Sequence, residues 1–204
     1  MSAFCYTCSM HYFVFLAAFI SLSAAVSYVR QMFRGQAKPN KVSWLLWSVA
    51  PTIAAIAAFS EGVTLAVLPV FMAGFSTLIV FVFSFVCKGA YWDIRRFDLI
   101  CGAVSLLALI FWYLTKQADI AIIFSILSDF LACLPTFAKA WKYPETEHVS
   151  PYASGIFSAF TSFLAISHWN FASVAFPAYL FLINIALSVA IEHRRFIPRR
   201  KEVK

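Results

Sequence analysis

Apolar residues fall along this chain in long runs separated by short polar punctuation. The runs cover about 12–33, 43–60, 63–87, 97–115, 119–139, 150–168 and 171–191. A helix needs about 20 apolar residues to cross the hydrocarbon core of a bilayer, and most of these runs are near that length. None alternates apolar and polar positions as a barrel strand between lipid and lumen does. The pattern predicts an all-α membrane protein of seven transmembrane helices. The short second run joins the third through Ser60-Glu61-Gly62, which predicts a tight helical hairpin. Little chain is left over for a soluble module.

Composition agrees with this pattern, and charge orients it. The 204 residues are 62% hydrophobic, with a mean hydropathy of +0.82, and only 12% are charged. A soluble domain of this size could not hide that much apolar surface, so lipid is the expected solvent. The net charge of +7 would suit nucleic acid, but its distribution does not. With seven spans, the loops after helices 1, 3 and 5 share one face with the C-terminal tail. Fifteen of the 16 basic residues fall on that face: Arg30, Arg34, Lys38, Lys41, Lys88, Arg95, Arg96, Lys139, Lys142 and the six of the tail "HRRFIPRRKEVK". Only Lys116 falls opposite. The positive-inside rule then predicts an outside N-terminus and a cytosolic C-terminus, in a plasma or bacterial inner membrane. The tail faces anionic lipid, and no nucleic-acid partner is expected. The first run does not read as a cleavable signal, because its positive charges follow the apolar core instead of preceding it.

Signatures of chemistry in water are missing. The sequence shows no Ser-His-Asp or His-Glu-x-x-His arrangement and no Gly-rich phosphate loop. No enzyme activity and no cofactor are expected. Cys87, Cys101 and Cys133 sit in or beside helices, where Cys behaves as a small apolar residue. The N-terminal "CYTCSMH" offers Cys5, Cys8 and His11, three ligands where a closed zinc site wants four. The two thiols could also pair in an oxidising compartment. An untied terminus without a metal site is the reading adopted.

An internal repeat runs through the helices. "SAAVSYVRQMFRGQAKP" (23–39) lies over "SDFLACLPTFAKAWKYP" (128–144) with serine on serine, proline on proline, Arg34 on Lys139 and Gln31 on Thr136. Val42-Ser43 then falls on Val149-Ser150, and Pro69, Phe71 and Ser76 fall on Pro177, Tyr179 and Asn184. The offset grows from 105 to 107 to 108, as in a duplicated unit with loop insertions. Helices 1–3 and 5–7 are the two copies, and helix 4 crosses once more so that both run in the same direction. The expected organisation is an N-terminal tail (1–11), a first three-helix unit (12–87), a loop and linker helix (88–118), a second unit (119–192) and a basic tail (193–204). Parallel repeats of this kind place the substrate path at their interface near mid-membrane.

This three-plus-one-plus-three plan, with a Pro-Gln-like pair ending the first helix of each unit, resembles the PQ-loop superfamily. That group includes the SWEET (MtN3-type) sugar transporters, the lysosomal cystine and cationic amino-acid exporters and KDEL-receptor-like proteins. Bacterial nicotinamide riboside transporters share a similar plan. The resemblance spans nearly the whole chain. Its pair reads Arg30-Gln31 in the first unit and Pro135-Thr136 in the second, each incomplete. SWEET transporters carry prolines in helices 1, 2, 5 and 6, of which this chain keeps Pro51 and Pro135. The resemblance implies a carrier in which those prolines act as hinges and Asn184 faces the solute, with Ser76 in the matching place of the first unit.

The residues themselves put Asp129 first. It sits at the centre of helix 5, where a carboxylate costs about 2.5–3.5 kcal/mol on insertion scales. Ser125, Asp129, Ala132 and Thr136 form one small or polar stripe at helical spacing, and Ile20, Ala24, Ser27 and Gln31 form its counterpart on helix 1. Facing stripes would line a path, with Asp129 exchanging a proton or pairing with a cationic solute. The alternative is a structural acid bonded to a neighbouring helix. Asn184 lies on a stripe with Ser173, Pro177 and Ser188, and is either a solute contact or glue between helices. Trp44 and Trp47 open helix 2, where an interfacial aromatic belt suffices, although Trp47 could also act as a gate or stacking wall. Pro51 and Pro135 permit kinks. The function expected is alternating-access carriage of a small polar solute (a sugar, amino acid or nucleoside), with proton coupling through Asp129. A KDEL-receptor-like sorting protein and a structural subunit are the alternatives. The partners are the solute and the bilayer, and a homo-oligomer is left open.

Overall fold

The computed structural model describes residues 2–87 and 96–196. Within them seven α-helices follow one another: α1 (Ser2–Phe33), α2 (Lys41–Ser60), α3 (Leu68–Ser84), α4 (Arg96–Thr115), α5 (Ala118–Lys142), α6 (Ser150–Leu164) and α7 (Phe171–Phe196). Local chemistry sets several of the boundaries. α1 and α2 both stop at glycines held at positive φ, Gly35 at 72° and Gly62 at 82°. In each, the glycine N–H donates three residues back (Gly35 to Met32, Gly62 to Phe59), and the next N–H donates five back. This double turn satisfies the last helical carbonyls and suits glycine, which has no Cβ to strain. Asn40 caps the start of α2 by accepting from the N–H of Val42 at 3.0 Å. At the start of α7, Ser173 N–H donates to Asn170 Oδ1 and Asn170 N–H to Ser173 Oγ, a reciprocal cap.

Two boundaries differ from the sequence reading. The expected loose tail is helical from Ser2, because residues 2–11 hold no Gly or Pro to stop the helix. The connection from α2 to α3 is longer than Ser-Glu-Gly, since Leu65–Val67 makes a 3-10 turn before Pro69 enters the first turn of α3. The side chains of Cys5, Cys8, His11, Cys101, Arg194 and Arg195 lie outside the described residues, as do Lys88, Arg95 and 197–204.

The molecule is built for lipid. Among the described residues five helices are long and apolar enough to cross a membrane: those covering Tyr12–Phe33, Lys41–Ser60, Leu65–Ser84, Ala118–Lys142 and Phe171–His193. α6 is shorter, at 15 residues. Large apolar side chains cover the outer surface, among them Phe19, Phe59, Val86, Leu106 and Leu182. Such a surface is stable against hydrocarbon and not against water.

Packing follows a regular scheme. α3 lies against both α1 and α2, and α7 against both α5 and α6. Across the middle, α2 packs on α5 and α1 on α6, while α4 sits outside against α5. The α2–α5 half of this seam is poor in bulk. Ala54, Ala57 and Ala58 of α2 share a buried cluster with Ala118, Ala121 and Ile122 of α5, and small residues let helix backbones approach closely. The same device joins α2 to α3, where a Cβ on Gly74 would stand 2.6 Å from Thr52 Oγ1 and 3.0 Å from the Ser48 carbonyl oxygen.

Pro51, Pro135 and Pro177 all lie inside helices. A proline has no N–H for the carbonyl four residues back, which for Pro51 belongs to Trp47. That carbonyl lies 2.9 Å from Thr77 Oγ1 of α3, whose single proton it shares with the Ala73 and Gly74 carbonyls of α3 itself, also at 2.9 Å. A polar side chain of a neighbouring helix thus stands at the defect in α2, as is common for prolines in membranes.

Candidate functional site

A cavity of about 90 Å³ lies where the two sets of helices meet. It is large enough for several waters. Asp129 of α5, Ser76 of α3, Asn184 of α7 and Trp47 of α2 all line it, so four residues drawn from separate sequence stripes come to one place. Pro51 and Thr77 line it as well. Positions paired by the sequence repeat recur around the wall: Trp44 with Pro151, Trp47 with Ser154, Pro51 with Ser158, and Ser76 with Asn184.

Asp129 is 4% exposed. Its Oδ2 accepts from Tyr179 Oη of α7 at 2.7 Å, and no other hydrogen bond to it forms among the described residues. It is also the only carboxylate among the described residues lining the cavity, and no Lys, Arg or His lines it with Asp129. Asn184 donates from Nδ2 to the Leu180 carbonyl at 2.8 Å. Its amide lies over Gly155 of α6, where a Cβ would stand 2.6 Å from Oδ1. Glycine there makes room for the amide. Three hydroxyls on the cavity wall have no partner among the described residues: Ser76 Oγ, Tyr152 Oη and Ser158 Oγ. Buried polar atoms are rarely left so, and water in the cavity would satisfy these three; Gln31 Oε1 and the hydroxyls of Ser43, Ser125, Ser162 and Ser188 also lack a partner among the described residues and lie off it.

Trp44 and Trp47 are corrected from the belt reading. They are 3% and 7% exposed and face the interior, not the lipid interface. Tyr28 packs on Trp44 (4.8 Å between ring centroids), Trp44 meets Trp47 edge-on at 77°, and Trp47 meets Tyr152 edge-on at 85°. Trp44, Trp47 and Tyr152 line the cavity, and Tyr28 connects them to a polar latch at the helix ends that carry the basic residues. There Lys139 Nζ pairs with Glu147 Oε1 at 2.9 Å and donates to the Lys38 carbonyl at 2.7 Å, while Tyr28 Oη donates to Glu147 Oε2 at 3.2 Å. The latch ties α1 and its following loop to α5 and the loop before α6. Burial pushes the Glu147 carboxyl above the ordinary carboxylate range, although Lys139 and Tyr28 pull it back.

Other expectations are corrected too. Ser125 and Thr136 are buried but do not line the cavity; only Asp129 of that stripe does. On α1 the lining residues are Ser21 and Ala25, one position along from Ile20 and Ala24. Ser27 and Gln31 bond each other at 3.4 Å. Pro135 does not line the cavity, and α5 runs through it without a break. Sequence reasoning missed Tyr179, Tyr152, Thr77 and the Tyr28–Glu147–Lys139 latch. Two of these left a signal: Tyr179, as a hydroxyl added where its repeat partner is Phe71, and Lys139, as the repeat partner of Arg34. No family model matches the chain, and no curated protein or solved structure matches it either.

Proposed function

We propose that the chain is a membrane carrier for a small polar solute, working by alternating access between two parallel three-helix repeats joined by a linker helix. This reading takes all seven helices as spans, with the N-terminus outside and the C-terminus cytosolic, and places the chain beside the PQ-loop superfamily. The packing scheme supports it. Exchanging α1, α2 and α3 for α5, α6 and α7 turns the contacts of α1 with α6 into those of α5 with α2, and leaves the pairing among these six helices unchanged, with α4 outside the exchange. The observation that carries the proposal is the cavity itself, which draws its wall from both repeats and holds the buried acid Asp129 beside unpartnered hydroxyls. A peptide-end receptor would want basic residues on that wall, and a purely structural bundle would need no cavity beside the Tyr179–Asp129 bond.

Asp129 is the proton-responsive group in this reading, held by Tyr179. A proton and a solute are coupled when both bias the same two-state equilibrium. The purified protein in vesicles should therefore accumulate solute in response to a pH gradient. Asp129→Asn keeps the shape and removes the titration, so it should lose gradient-driven accumulation and keep downhill exchange. Full accumulation by the Asn variant would make Asp129 structural, and wild-type flux indifferent to pH would leave a passive facilitator.

A further inference from the structure

The wall of the cavity has a composition that selects by charge. It presents one carboxylate, three aromatic rings and several hydroxyls, and none of its described residues is Lys, Arg or His. The rings of Trp44, Trp47 and Tyr152 stand nearly perpendicular in succession, at 77° and 85°. All three residues line the cavity, and an aromatic face turned to that space attracts an alkylated ammonium group. The hydroxyls of Tyr152 and Ser158, whose residues are 4% and 3% exposed, have no partner and can accept an N–H or bond a water. A carboxylate on the solute would find no cation on this wall and would face Asp129 instead, at a large cost for two like charges out of water.

We propose that the cavity takes a small alkylammonium cation carrying no carboxylate, and that this cation and a proton compete for Asp129. The claim deepens the carrier reading and rests on it for the exchange, although binding can be measured without transport. When the cation binds, the proton leaves Asp129 for solvent; when the cation leaves, a proton returns. The carboxyl is then never left unpaired in the membrane interior. The titratable groups around it are Tyr179 from α7, Tyr152 from α6 and Cys133 on its own helix, while α2 presents Trp44, Trp47 and Pro51. None of these is positive, so protonation or a bound cation is what neutralises the acid.

The test uses the full chain in detergent, with choline and methylammonium as probes and tryptophan fluorescence and thermal shift as readouts. The comparison compounds are 3,3-dimethylbutan-1-ol, the uncharged shape-mimic of choline, and glycine betaine, which adds a carboxylate. Choline or methylammonium should bind at least about tenfold more tightly than either comparison compound, and more weakly as pH falls. Asp129→Asn should lose about tenfold or more. In case that variant misfolds, Trp47→Leu should weaken choline and Trp47→Phe should restore it. Equal binding of the neutral mimic or of betaine would overturn the cation assignment. Binding of an uncharged sugar while both cations fail would overturn it and leave the carrier reading standing. Cation binding in a protein that shows no flux in vesicles would uphold the site and defeat the carrier reading.

Discussion

Replacing Lys139 with Met tests the latch at the basic helix ends. The Lys139 side chain is 19% exposed and that of Glu147 3%, so the pair is mostly withdrawn from solvent. Removing one partner of a buried pair costs about 3–5 kcal/mol because the other charge is left uncompensated. Tyr28 still donates to Glu147 in the variant, and the lysine is partly wetted, so about 2–3 kcal/mol is expected. At about 2–4 °C per kcal/mol for a chain of this size, the midpoint in detergent should fall by about 4–12 °C near pH 8. The loss should depend on pH in a definite direction. Burial already holds the Glu147 carboxyl above its ordinary value, and Lys139 is the main influence lowering it. The folded state therefore binds this proton more tightly than the unfolded chain. The contribution of the group to stability falls as pH rises from the ordinary glutamate value, about 4.3, through the higher folded value. Without Lys139 the folded value climbs further, and a protonated Glu147 no longer needs the ammonium. The deficit of Lys139→Met should shrink on going from pH 8 to pH 5, and Glu147→Gln should abolish that pH dependence. Thermal unfolding followed by circular dichroism at the two pH values reads both. A deficit unchanged between pH 8 and pH 5, or none at pH 8, would show that the pair is not a buried latch.

Two further substitutions probe the packing around the cavity. Thr77→Val keeps the shape but removes a hydroxyl shared by the Trp47 carbonyl beside Pro51 and two carbonyls of its own helix, and should cost about 0.5–1.5 kcal/mol, read as a lowered thermal midpoint; a neutral result would mean that the proline defect needs no partner. Gly155→Ala should displace the Asn184 amide and destabilise the protein alone, but much less in an Asn184→Ala background; additive costs would show that the two do not meet. The orientation can be read by thiol labelling of cysteines placed at Lys116 and in the C-terminal tail, which should be reached from opposite sides of the membrane; labelling of both from one side would overturn the positive-inside assignment.

Much of this protein is written in single-residue chemistry. Long apolar runs need lipid and fold as helices because the backbone must satisfy itself there, so the helical class and element order follow from pattern alone. Asp129 stands out for the same reason, since an acid in an apolar run is costly wherever the chain goes. Asn184 and Ser76 pair in the alignment of the two halves of the sequence, and both line one cavity. What periodicity could not give is which side of a helix meets another helix and which meets lipid. Most positions on every side of a membrane helix are apolar, so hydropathy carries little inward direction outside a few polar stripes. Trp44 and Trp47 therefore read as interfacial although both are buried on the cavity wall, and the α1 lining lies one residue along from the expected stripe. The bonds from Tyr179 to Asp129, from Thr77 to the Trp47 carbonyl and from Tyr28 to Glu147 join positions 50, 30 and 119 residues apart. No local signal marks such pairs, because each exists only once the helices have chosen their neighbours.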